Sequence, residues 1–310
     1  MREVRVFIDG AAGTTGLRIR ERLAERPDVT LLTLPEEARK DPAARAACMN
    51  VADVVFLCLP DAAAVEAVGF VTDPDVVVID TSTAHRVSPG WAYGFPELPG
   101  ARDAIRGAKR IANPGCHASG FIALVAPLVA AGILSKEAEL SCFSLTGYSG
   151  GGKKMIAAYE AADRSPLYDA PRQYGLSQTH KHLPEMTAYT GLVTPPVFCP
   201  VVADYYAGME VTVPLFAGQV KGGKEAVAAA YRACYGEGLI RYVEAADEEG
   251  FLSASAFAGL DTMQVTVAGN DERLLLIARF DNLGKGASGA AIQNMNVALG
   301  LDETTGLTLA

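Results

Sequence analysis

Long apolar runs, paired cysteines and an excess of basic residues are all missing from this sequence. No uninterrupted apolar stretch reaches the roughly 20 residues of a membrane span, so we expect no membrane association. Lysine and arginine total 27 against 36 aspartates and glutamates, a net charge of −9 that disfavours a general nucleic-acid binder. Half of the residues are hydrophobic and the charges are interspersed, which excludes a mainly disordered chain.

The six cysteines are scattered and form no CxxC pair: Cys48, Cys58, Cys116, Cys142, Cys199 and Cys234. A secreted disulfide scaffold is shorter and denser in cysteine, so the pattern favours free thiols in the cytoplasm. A strand-like segment already begins at Val4, and we therefore expect no signal peptide. Most of the thiols should be small buried hydrophobic side chains, as Cys58 within VVFLCLP suggests.

The 310 residues favour two domains. Strand-length apolar runs alternate with helical segments in the first eighty residues, with predicted strands at 4–9, 29–34, 54–59 and 76–80. This alternation predicts an α/β fold with a Rossmann-like, doubly wound parallel sheet. Near residue 115 the pattern changes to strands of antiparallel character, such as 209–214 and a hairpin of 263–267 with 273–280. Pro127 should kink or divide a long apolar helix between these two parts.

A glycine-rich turn, GAAGTTG, follows the first predicted strand and places Gly10, Gly13 and Gly16 three residues apart. Such a strand-to-helix turn lets the backbone approach a diphosphate, and Thr14 and Thr15 offer two more donors. It lacks the Lys-Ser/Thr ending of a P-loop, which disfavours triphosphate hydrolysis. The turn therefore predicts dinucleotide binding, against the alternative of a tight turn without a ligand.

Acidic and basic residues both follow the second strand, so these residues leave the choice between NAD and NADP open. Glu36 and Glu37 suit the ribose of NAD, whereas Arg39 and Lys40 suit the extra phosphate of NADP.

Cys116 is the candidate nucleophile. It stands in NPGCHASG, where Pro114 and Gly115 make a sharp turn before the apolar helix. A thiol at a helix N-terminus lies at the positive end of the helix dipole, which favours the thiolate. The alternative is a small capping residue that happens to be cysteine.

Each of the four histidines, at positions 85, 117, 180 and 182, lies in a polar segment, and we expect none of them on an apolar helix face. In an extended backbone His180 and His182 of THKHLPEM face the same side, with Glu185 following. A general acid/base beside Cys116 is the preferred interpretation. The alternatives are a metal site and two surface histidines.

Two further polar segments suggest anion binding. DTSTAHR, residues 80–86, ends the fourth strand at the sheet edge where ligands bind, and its Arg86 suits a phosphate or carboxylate. GYSGGGKK, residues 147–154, is either an anion-binding nest or a flexible turn.

A series of segments, in order along nearly the whole chain, resembles the shorter class of N-acetyl-γ-glutamyl-phosphate reductases: GAAGTTG, CLPDAA, DTSTAHR, YGFPEL, NPGCHASGF, GYSGGGKK, THKHLPEM and DNLGKGASGAAIQNMN. The related aspartate-semialdehyde dehydrogenases are less similar, mainly in THKHLPEM and GYSGGGK. His117 and Ser119 depart from the family, which usually has an aromatic or apolar residue and a threonine there.

The resemblance implies an NADPH-dependent reaction of arginine biosynthesis in which Cys116 forms a thioester with N-acetyl-γ-glutamyl phosphate. It implies no metal and gives His180 the acid/base role. The implied substrate-binding residues are Arg86, Ser149, Lys153, His182 and Glu185. The implied cofactor-binding residues are Gly10, Gly13, Thr14, Thr15, Gly16, Arg39, Ser82 and Asn282.

The resemblance also implies that the last helix returns to the cofactor domain. That domain would comprise residues 1–115 and 287–310, and residues 116–286 would form an α+β catalytic and subunit-contact domain with a mixed or antiparallel sheet. A homo-oligomer, dimer or tetramer, is expected.

Three other functions compete with this interpretation. An aspartate-semialdehyde dehydrogenase would use the same thiol on another acyl phosphate. An NADP-binding regulator would use Cys116 as a redox sensor and would not need the histidine pair. A cysteine hydrolase would leave the glycine turn without a role.

Overall fold

In a computed structural model, which describes residues 3–236 and 238–309, the chain forms two compact units. The first unit runs to Pro114 and includes Ala287–Leu307; the second spans Gly115–Gly286 and includes Thr308. The elements up to the end of the first segment are β1 (Val4–Asp9), α1 (Thr14–Ala24), β2 (Val29–Leu32), α2 (Pro42–Asn50), β3 (Val54–Leu57), α3 (Asp61–Val68), β4 (Val77–Asp80), β5 (Ala92–Tyr93), α4 (Ala101–Gly107) and β6 (Arg110–Ala112). They are followed by α5 (Cys116–Ala130), β7 (Ser141–Gly147), α6 (Gly152–Glu160), β8 (Arg172–Gln173), α7 (Leu183–Thr190), β9 (Val197–Ala203), β10 (Met209–Phe216), α8 (Gly223–Cys234), β11 (Ile240–Tyr242), β12 (Met263–Gly269), β13 (Arg273–Phe280) and α9 (Gly289–Leu299).

The first unit is built on a six-stranded parallel sheet in the order β2-β1-β3-β4-β6-β5, which confirms the predicted Rossmann-like fold. All residues of β3 and β4 are buried, as their continuous apolar sequences predict, whereas the edge strand β2 is half-buried. Strands β2 and β3 end two residues earlier than predicted, at Leu32 and Leu57. Pro35 and Pro60 follow closely and turn the chain out of the sheet.

Helix α9 completes the core of the first unit. Ile292 and Met295 pack with Val6 and Ile19 from the beginning of the chain. The amide of Asn294 donates a 2.9 Å hydrogen bond to the carbonyl of Gly94, where an added Cβ would lie 2.2 Å from that amide nitrogen. The return of the helix therefore depends on a glycine at its contact point.

The second unit is built on a seven-stranded mixed sheet in the order β11-β12-β13-β10-β7-β9-β8, again as predicted. The predicted hairpin is confirmed, since β12 and β13 pair in antiparallel register from Met263↔Phe280 to Gly269↔Leu274. One difference concerns the C-terminus, where residues 287–310 were expected in the first domain. Thr308 instead bonds to Asp261 of the second unit: its carbonyl accepts from the backbone N–H of Asp261, and its own N–H donates to the Asp261 carboxylate.

Helix α5 continues for three residues beyond Pro127, so the proline does not divide it. A proline removes the N–H that would bond to the carbonyl four residues earlier, here Ala123. The hydroxyl of Tyr235 donates to that carbonyl at 2.7 Å and replaces the missing bond. Although α5 is almost entirely buried, no helix among the described residues combines the length and apolar character that crossing a membrane demands.

Tyr235 and its neighbour Tyr231 give a matched test of this compensation. Tyr231 donates at 2.6 Å to the carbonyl of Leu124. Unlike the carbonyl of Ala123, this one has a residue with an N–H, Leu128, four positions later in the helix. Tyr235→Phe should lower the free energy of unfolding by about 2 kcal/mol, because it leaves a buried carbonyl unsatisfied. Tyr231→Phe should cost about 1 kcal/mol or less. Urea denaturation of both variants measures the difference, and equal losses would contradict the role given to Tyr235.

Candidate active site

The glycine turn between β1 and α1 has the geometry of an anion-binding loop. Gly10 has φ of +85°, and an added Cβ there would lie 2.2 Å from the carbonyl oxygen of Cys58. A Cβ on Gly16 would lie 2.6 Å from the carbonyl oxygen of Gly10. The loop follows β1, whose neighbours β2 and β3 lie on opposite sides of it, and this switch point is where open α/β sheets bind ligands.

The residues of this loop fit the diphosphate of a dinucleotide. Gly13 precedes α1 in an extended conformation, and Thr14 and Thr15 form its first turn, where backbone N–H groups point out of the helix. Within residues 3–236 and 238–309, the buried hydroxyl of Thr14 has no hydrogen-bond partner. A phosphate oxygen would supply the acceptor that this hydroxyl lacks.

The other predicted cofactor residues of the first unit lie at the carboxyl edge of its sheet. Arg39 is exposed in the turn after β2. Ser82 follows β4, is buried, and donates to the carboxylate of Asp80 at 2.7 Å. Both remain predictions as cofactor contacts.

Asp80 organises the turn after β4, and sequence analysis gave it no role. Its buried carboxylate also accepts a 2.9 Å bond from the backbone N–H of Ser82 and lies 2.7 Å from Nδ1 of His85, whose ring stacks on Trp91. Arg86, predicted to bind substrate, is buried and donates to the carbonyls of Asn113 at 2.9 Å and Thr81 at 3.2 Å. The guanidinium is thus held in a fixed orientation by the backbone.

Cys116 occupies the first position of α5, where the sequence placed it. It is partly exposed, and Gly115 before it is extended with φ of −78°. The backbone N–H of Gly115 donates to the buried carboxylate of Glu185 at 3.1 Å. On the other side, an added Cβ on Gly286 would lie 3.0 Å from the Cβ of Cys116. The thiol is therefore fixed between α7 and the segment before α9.

His180 and His182 lie together at the beginning of α7. Their rings are 4.7 Å apart, and the backbone N–H of His182 donates to Nδ1 of His180 at 3.2 Å. The backbone here is not extended, because His182 is helical in conformation and forms the N-cap of α7. The turn nevertheless brings the two imidazoles to one place, with His180 half-buried and His182 buried.

His117 contradicts the expectation that no histidine lies on a buried helix face. It is buried in α5, with Nδ1 2.7 Å from the hydroxyl of Ser144 and Nε2 2.7 Å from the hydroxyl of Tyr174. Its ring contacts those of His180 and His182, at centroid distances of 5.7 and 5.5 Å. Burial, and secondarily the charge of His180, lower the pKa of His117 from 6.5 to about 3.

Tyr174 is a site residue that sequence analysis missed, since it stands in no motif. It follows β8, and burial together with the nearby charge of Cys116 raises the pKa of its phenol. The sequence signal that was available is its position six residues before the His180 pair.

The second glycine loop brings together two residues that were given separate roles. The amide of Asn282 donates to the hydroxyl of buried Ser149 at 3.0 Å and accepts from the backbone N–H of Gly208 at 2.9 Å. Lys153 is exposed on α6. Ser149 and Asn282 are therefore joined by a hydrogen bond. In the part of the chain that the structure describes, neither of them is hydrogen-bonded to Lys153.

All six cysteines are free thiols; Cys142 is fully buried and the other five are partly buried, so the prediction that most of them are buried in the core holds completely only for Cys142. Burial raises the pKa of Cys58 to about 12, which keeps that thiol protonated. In the part of the chain that the structure describes, no three histidine, cysteine, aspartate or glutamate side chains are arranged to hold a metal ion.

Comparison with known proteins identifies the class. Residues 5–108 match the model of the semialdehyde dehydrogenase NAD binding domain, and residues 116–282 match that of the semialdehyde dehydrogenase dimerisation domain. The fold is similar to that of aspartate semialdehyde dehydrogenase II from Vibrio cholerae, with a TM-score of 0.71 and 18% identity over 96% of this chain and 98% of that one. A probable aspartate-semialdehyde dehydrogenase from Pseudomonas aeruginosa gives a TM-score of 0.69, also at 18% identity, over the same shares of the two chains. The two domains are thus those of a semialdehyde dehydrogenase, an oxidoreductase.

Relatives of higher identity narrow this class. The N-acetyl-gamma-glutamyl-phosphate reductase of Chelativorans sp. is 47% identical over 95% of this chain and 98% of its own. The N-acetyl-gamma-glutamyl-phosphate reductase 2 of Nostoc sp. is 44% identical over 99% of this chain and the whole of its own. The chain belongs to the N-acetyl-γ-glutamyl-phosphate reductase family.

The lowered pKa of His117 predicts a pH effect on stability. Below pH 6.5 the imidazole of His117 becomes protonated in the unfolded chain, whereas in the folded protein it stays neutral down to about pH 3. The free energy of unfolding therefore falls as the pH falls from 6.5 towards 3. His117→Gln should flatten the slope by up to about 1.4 kcal/mol per pH unit. Urea denaturation at several pH values between 4 and 8 measures it. The slopes of variant and wild type should coincide above pH 7, and equal slopes at pH 5 would refute the prediction.

Proposed function

We propose that this protein reduces N-acetyl-γ-glutamyl phosphate to N-acetylglutamate 5-semialdehyde, with release of inorganic phosphate, through a thioester on Cys116. The observation that carries the proposal is the beginning of α5, where a partly exposed thiol follows a turn fixed by Glu185. It stands in a chain that is 44–47% identical to reductases named for this substrate. A biosynthetic enzyme of this kind, with six free thiols, belongs in the cytoplasm.

The first step is acyl transfer to sulfur. The thiolate of Cys116, favoured by the α5 dipole, attacks the acyl carbon; a carbon–sulfur bond forms and the carbon–oxygen bond to phosphate breaks. When bound, NADPH supplies the hydride that reduces the resulting thioester. The carbon–sulfur bond then breaks, which restores the thiolate and releases the aldehyde.

His180 is the proposed acid/base residue. Its Nδ1 accepts a bond from the backbone N–H of His182, so the proton of the neutral ring sits on Nε2. That atom is the one that would exchange a proton or a hydrogen bond with the substrate.

An anionic substrate must overcome the net charge of −9, so the proposal needs local donors. The hydroxyl of Ser149 accepts from Asn282, which leaves its proton to be donated to a substrate oxygen. Arg86, Lys153, His182 and Glu185 are the other proposed substrate-binding residues, the first two for their positive charge.

NADP is the proposed cofactor. Gly10, Gly13, Thr14, Thr15 and Gly16 would hold its diphosphate. Arg39 is exposed in the turn after β2, where the 2′-phosphate of a bound dinucleotide would be expected. Ser82 and Asn282 are the proposed contacts of the nicotinamide.

The aspartate-semialdehyde dehydrogenase alternative rests on the fold alone, since those structures share 18% identity or less with this chain. A redox-sensing regulator gives no use to an imidazole pair that contacts the ring of His117, the residue after the thiol. We therefore favour the reductase over both.

Substitution of the nucleophile tests the proposal. Cys116→Ser should lower phosphate-dependent reduction of NADP by N-acetylglutamate semialdehyde at least about a thousandfold, whereas Cys234→Ser on α8 should retain full activity. The assay is run in parallel with NAD and with aspartate semialdehyde. Retained activity in Cys116→Ser would exclude the thioester mechanism. A preference for aspartate semialdehyde would instead support an aspartate-semialdehyde dehydrogenase.

We also propose that the protein is a homo-oligomer that associates through the open face of the second sheet. Phe143, Val197, Phe216 and Leu275 are exposed, with 40–69% of each residue's surface accessible. The strand registers Phe143↔Cys199 and Pro214↔Leu275 put them on one face, opposite the face that α5 covers. Monomers rarely leave so many large apolar side chains on one surface, and the matching family model is described as a dimerisation domain.

A charge placed on this face should dissociate the assembly. Phe143→Glu should shift the mass in sedimentation equilibrium from oligomer to monomer, because a buried unpaired carboxylate opposes association. Val65→Glu, on an exposed position of α3 in the first unit, is the control and should leave the mass unchanged. A wild-type monomer, or an oligomeric Phe143→Glu variant, would exclude this face as the interface.

A further inference from the structure

Gln178 has a backbone conformation that glutamine rarely adopts. Among the non-glycine residues that the structure describes, only Gln178 and Glu249 have a φ in the left-handed region, at 57° and 55°. A side chain in this region crowds its own backbone, so the conformation persists only where neighbouring contacts hold it. Gln178 lies between β8 and α7, two residues before His180. Residues held in this way are concentrated at functional sites.

The side chain of Gln178 supplies the contacts that hold it. Its Nε2 donates to the carbonyl of Phe198 at 2.7 Å, and its Oε1 accepts from the backbone N–H of Phe198 at 2.8 Å. The orientation of the amide is fixed, because a flipped amide would place donor against donor and acceptor against acceptor. The backbone N–H of Gln178 also donates to the carbonyl of Gly175 at 3.0 Å, which closes a turn over residues 175–178.

Phe198 needs these partners because it lies where the edge of the second sheet is open. The N–H of Val197, the first residue of β9, donates towards β7, to the carbonyl of Leu140 at 2.9 Å. The polar backbone groups of the next residue, Phe198, point to the opposite edge, since they alternate along a strand. Strand β8 pairs with β9 only at residues 201–202. The amide of Gln178 thus takes the place of the missing strand beside a residue that is only 1% exposed.

The ring of Phe198 is in turn a surface on which the imidazole of His180 packs. Their ring centroids are 5.0 Å apart with the planes at 65°, an edge-to-face arrangement. The phenyl ring also contacts His117 at 5.3 Å, and His117 contacts His180 at 5.7 Å, so the three rings form one cluster. Gln178 therefore binds the backbone of a residue whose ring contacts His180, and only Thr179 separates Gln178 from His180 in the chain.

The residue type indicates that the side chain matters here as well as the turn. Glycine and asparagine adopt a left-handed φ readily, whereas glutamine does so at a cost. The amide of asparagine is one methylene shorter and would not keep both bonds to Phe198. A glutamine at this position is therefore explained by the reach of its amide to β9, and not by the turn alone.

We propose that Gln178 is a positioning residue for His180: by binding both polar backbone groups of Phe198 it holds the strained turn against β9 and keeps the imidazole of His180 in the ring cluster. The value of this placement for catalysis rests on the proposed function, in which His180 is the acid/base residue. The placement itself does not depend on that role. Because Gln178 is exposed, its substitution opens no cavity.

Nuclear magnetic resonance of the whole protein, labelled with 13C at histidine Cε1, measures the placement. Only four histidines are present, and His180→Gln identifies the signal of His180 by its loss. The wild type should show nuclear Overhauser effects between the rings of His180 and Phe198. Gln178→Gly removes the amide and relieves the strain, and Gln178→Met removes the amide but keeps the length; both should abolish these effects. Glu249→Gly, which relieves strain at the other left-handed position, is the control and should retain them.

The kinetic constants separate positioning from stability. Gln178→Gly should lower kcat about tenfold and change KM less than about twofold, because a displaced acid/base residue weakens transition-state stabilisation more than substrate binding. Its midpoint of urea denaturation should stay close to that of the wild type, since the lost hydrogen bonds and the relieved strain oppose each other. A residue that only shapes the turn would tolerate glycine, so a wild-type kcat in Gln178→Gly would overturn the proposal.

The contact between the two rings decides the structural part. Nuclear Overhauser effects that are absent from the wild type, or retained in Gln178→Gly, would overturn the proposal. Should Gln178→Met fail to fold, Gln178→Gly still decides, because glycine suits the left-handed turn. A wild-type protein without reductase activity, in which Gln178→Gly nevertheless loses the effects, would refute the proposed function and leave the placement of His180 by Gln178 intact.

Discussion

The bond from the backbone N–H of Gly115 to the buried carboxylate of Glu185 fixes the place where α5 begins. Gly115 is the residue before Cys116, and Glu185 lies in the first turn of α7, which His182 caps. One hydrogen bond therefore connects the turn before the thiol to the helix that begins directly after the two imidazoles. A buried carboxylate is stable only when such donors surround it, so the helix start and the histidines depend on one another.

The sequence was sufficient for the fold because its signals are local. Continuous apolar strands, the glycine turn after β1 and the Pro-Gly pair before Cys116 each act within a few residues. The features it did not reveal depend on partners far apart along the chain. His117 bonds to residues 27 and 57 positions away, and the carbonyl opposite Pro127 is satisfied by a tyrosine 112 positions later. The local rule for proline was correct about the missing bond but could not anticipate its replacement.

The same contrast between local signals and distant partners applies to the residues of the candidate site. Residue types and motifs selected Cys116, His180, His182 and Glu185, and the structure brings their elements together around α5 and α7. Tyr174 and Asp80 were missed because a buried phenol and a strand-terminal carboxylate are common in sequences and acquire meaning only from their neighbours. Structural similarity at 18% identity to enzymes that act on aspartate semialdehyde illustrates the complementary limit. The fold places a thiol and a nucleotide loop, and the side chains around them select the substrate.

The return of α9 to the first unit has a consequence for biosynthesis. Residues near the N-terminus pack on Ile292 and Met295, whereas the second unit is almost wholly contained in one continuous segment. During synthesis, the strands of the first sheet leave the ribosome long before α9, the helix that completes their core. The second unit can therefore fold before the first one, whose glycine loop belongs to an incomplete domain until α9 has been synthesised.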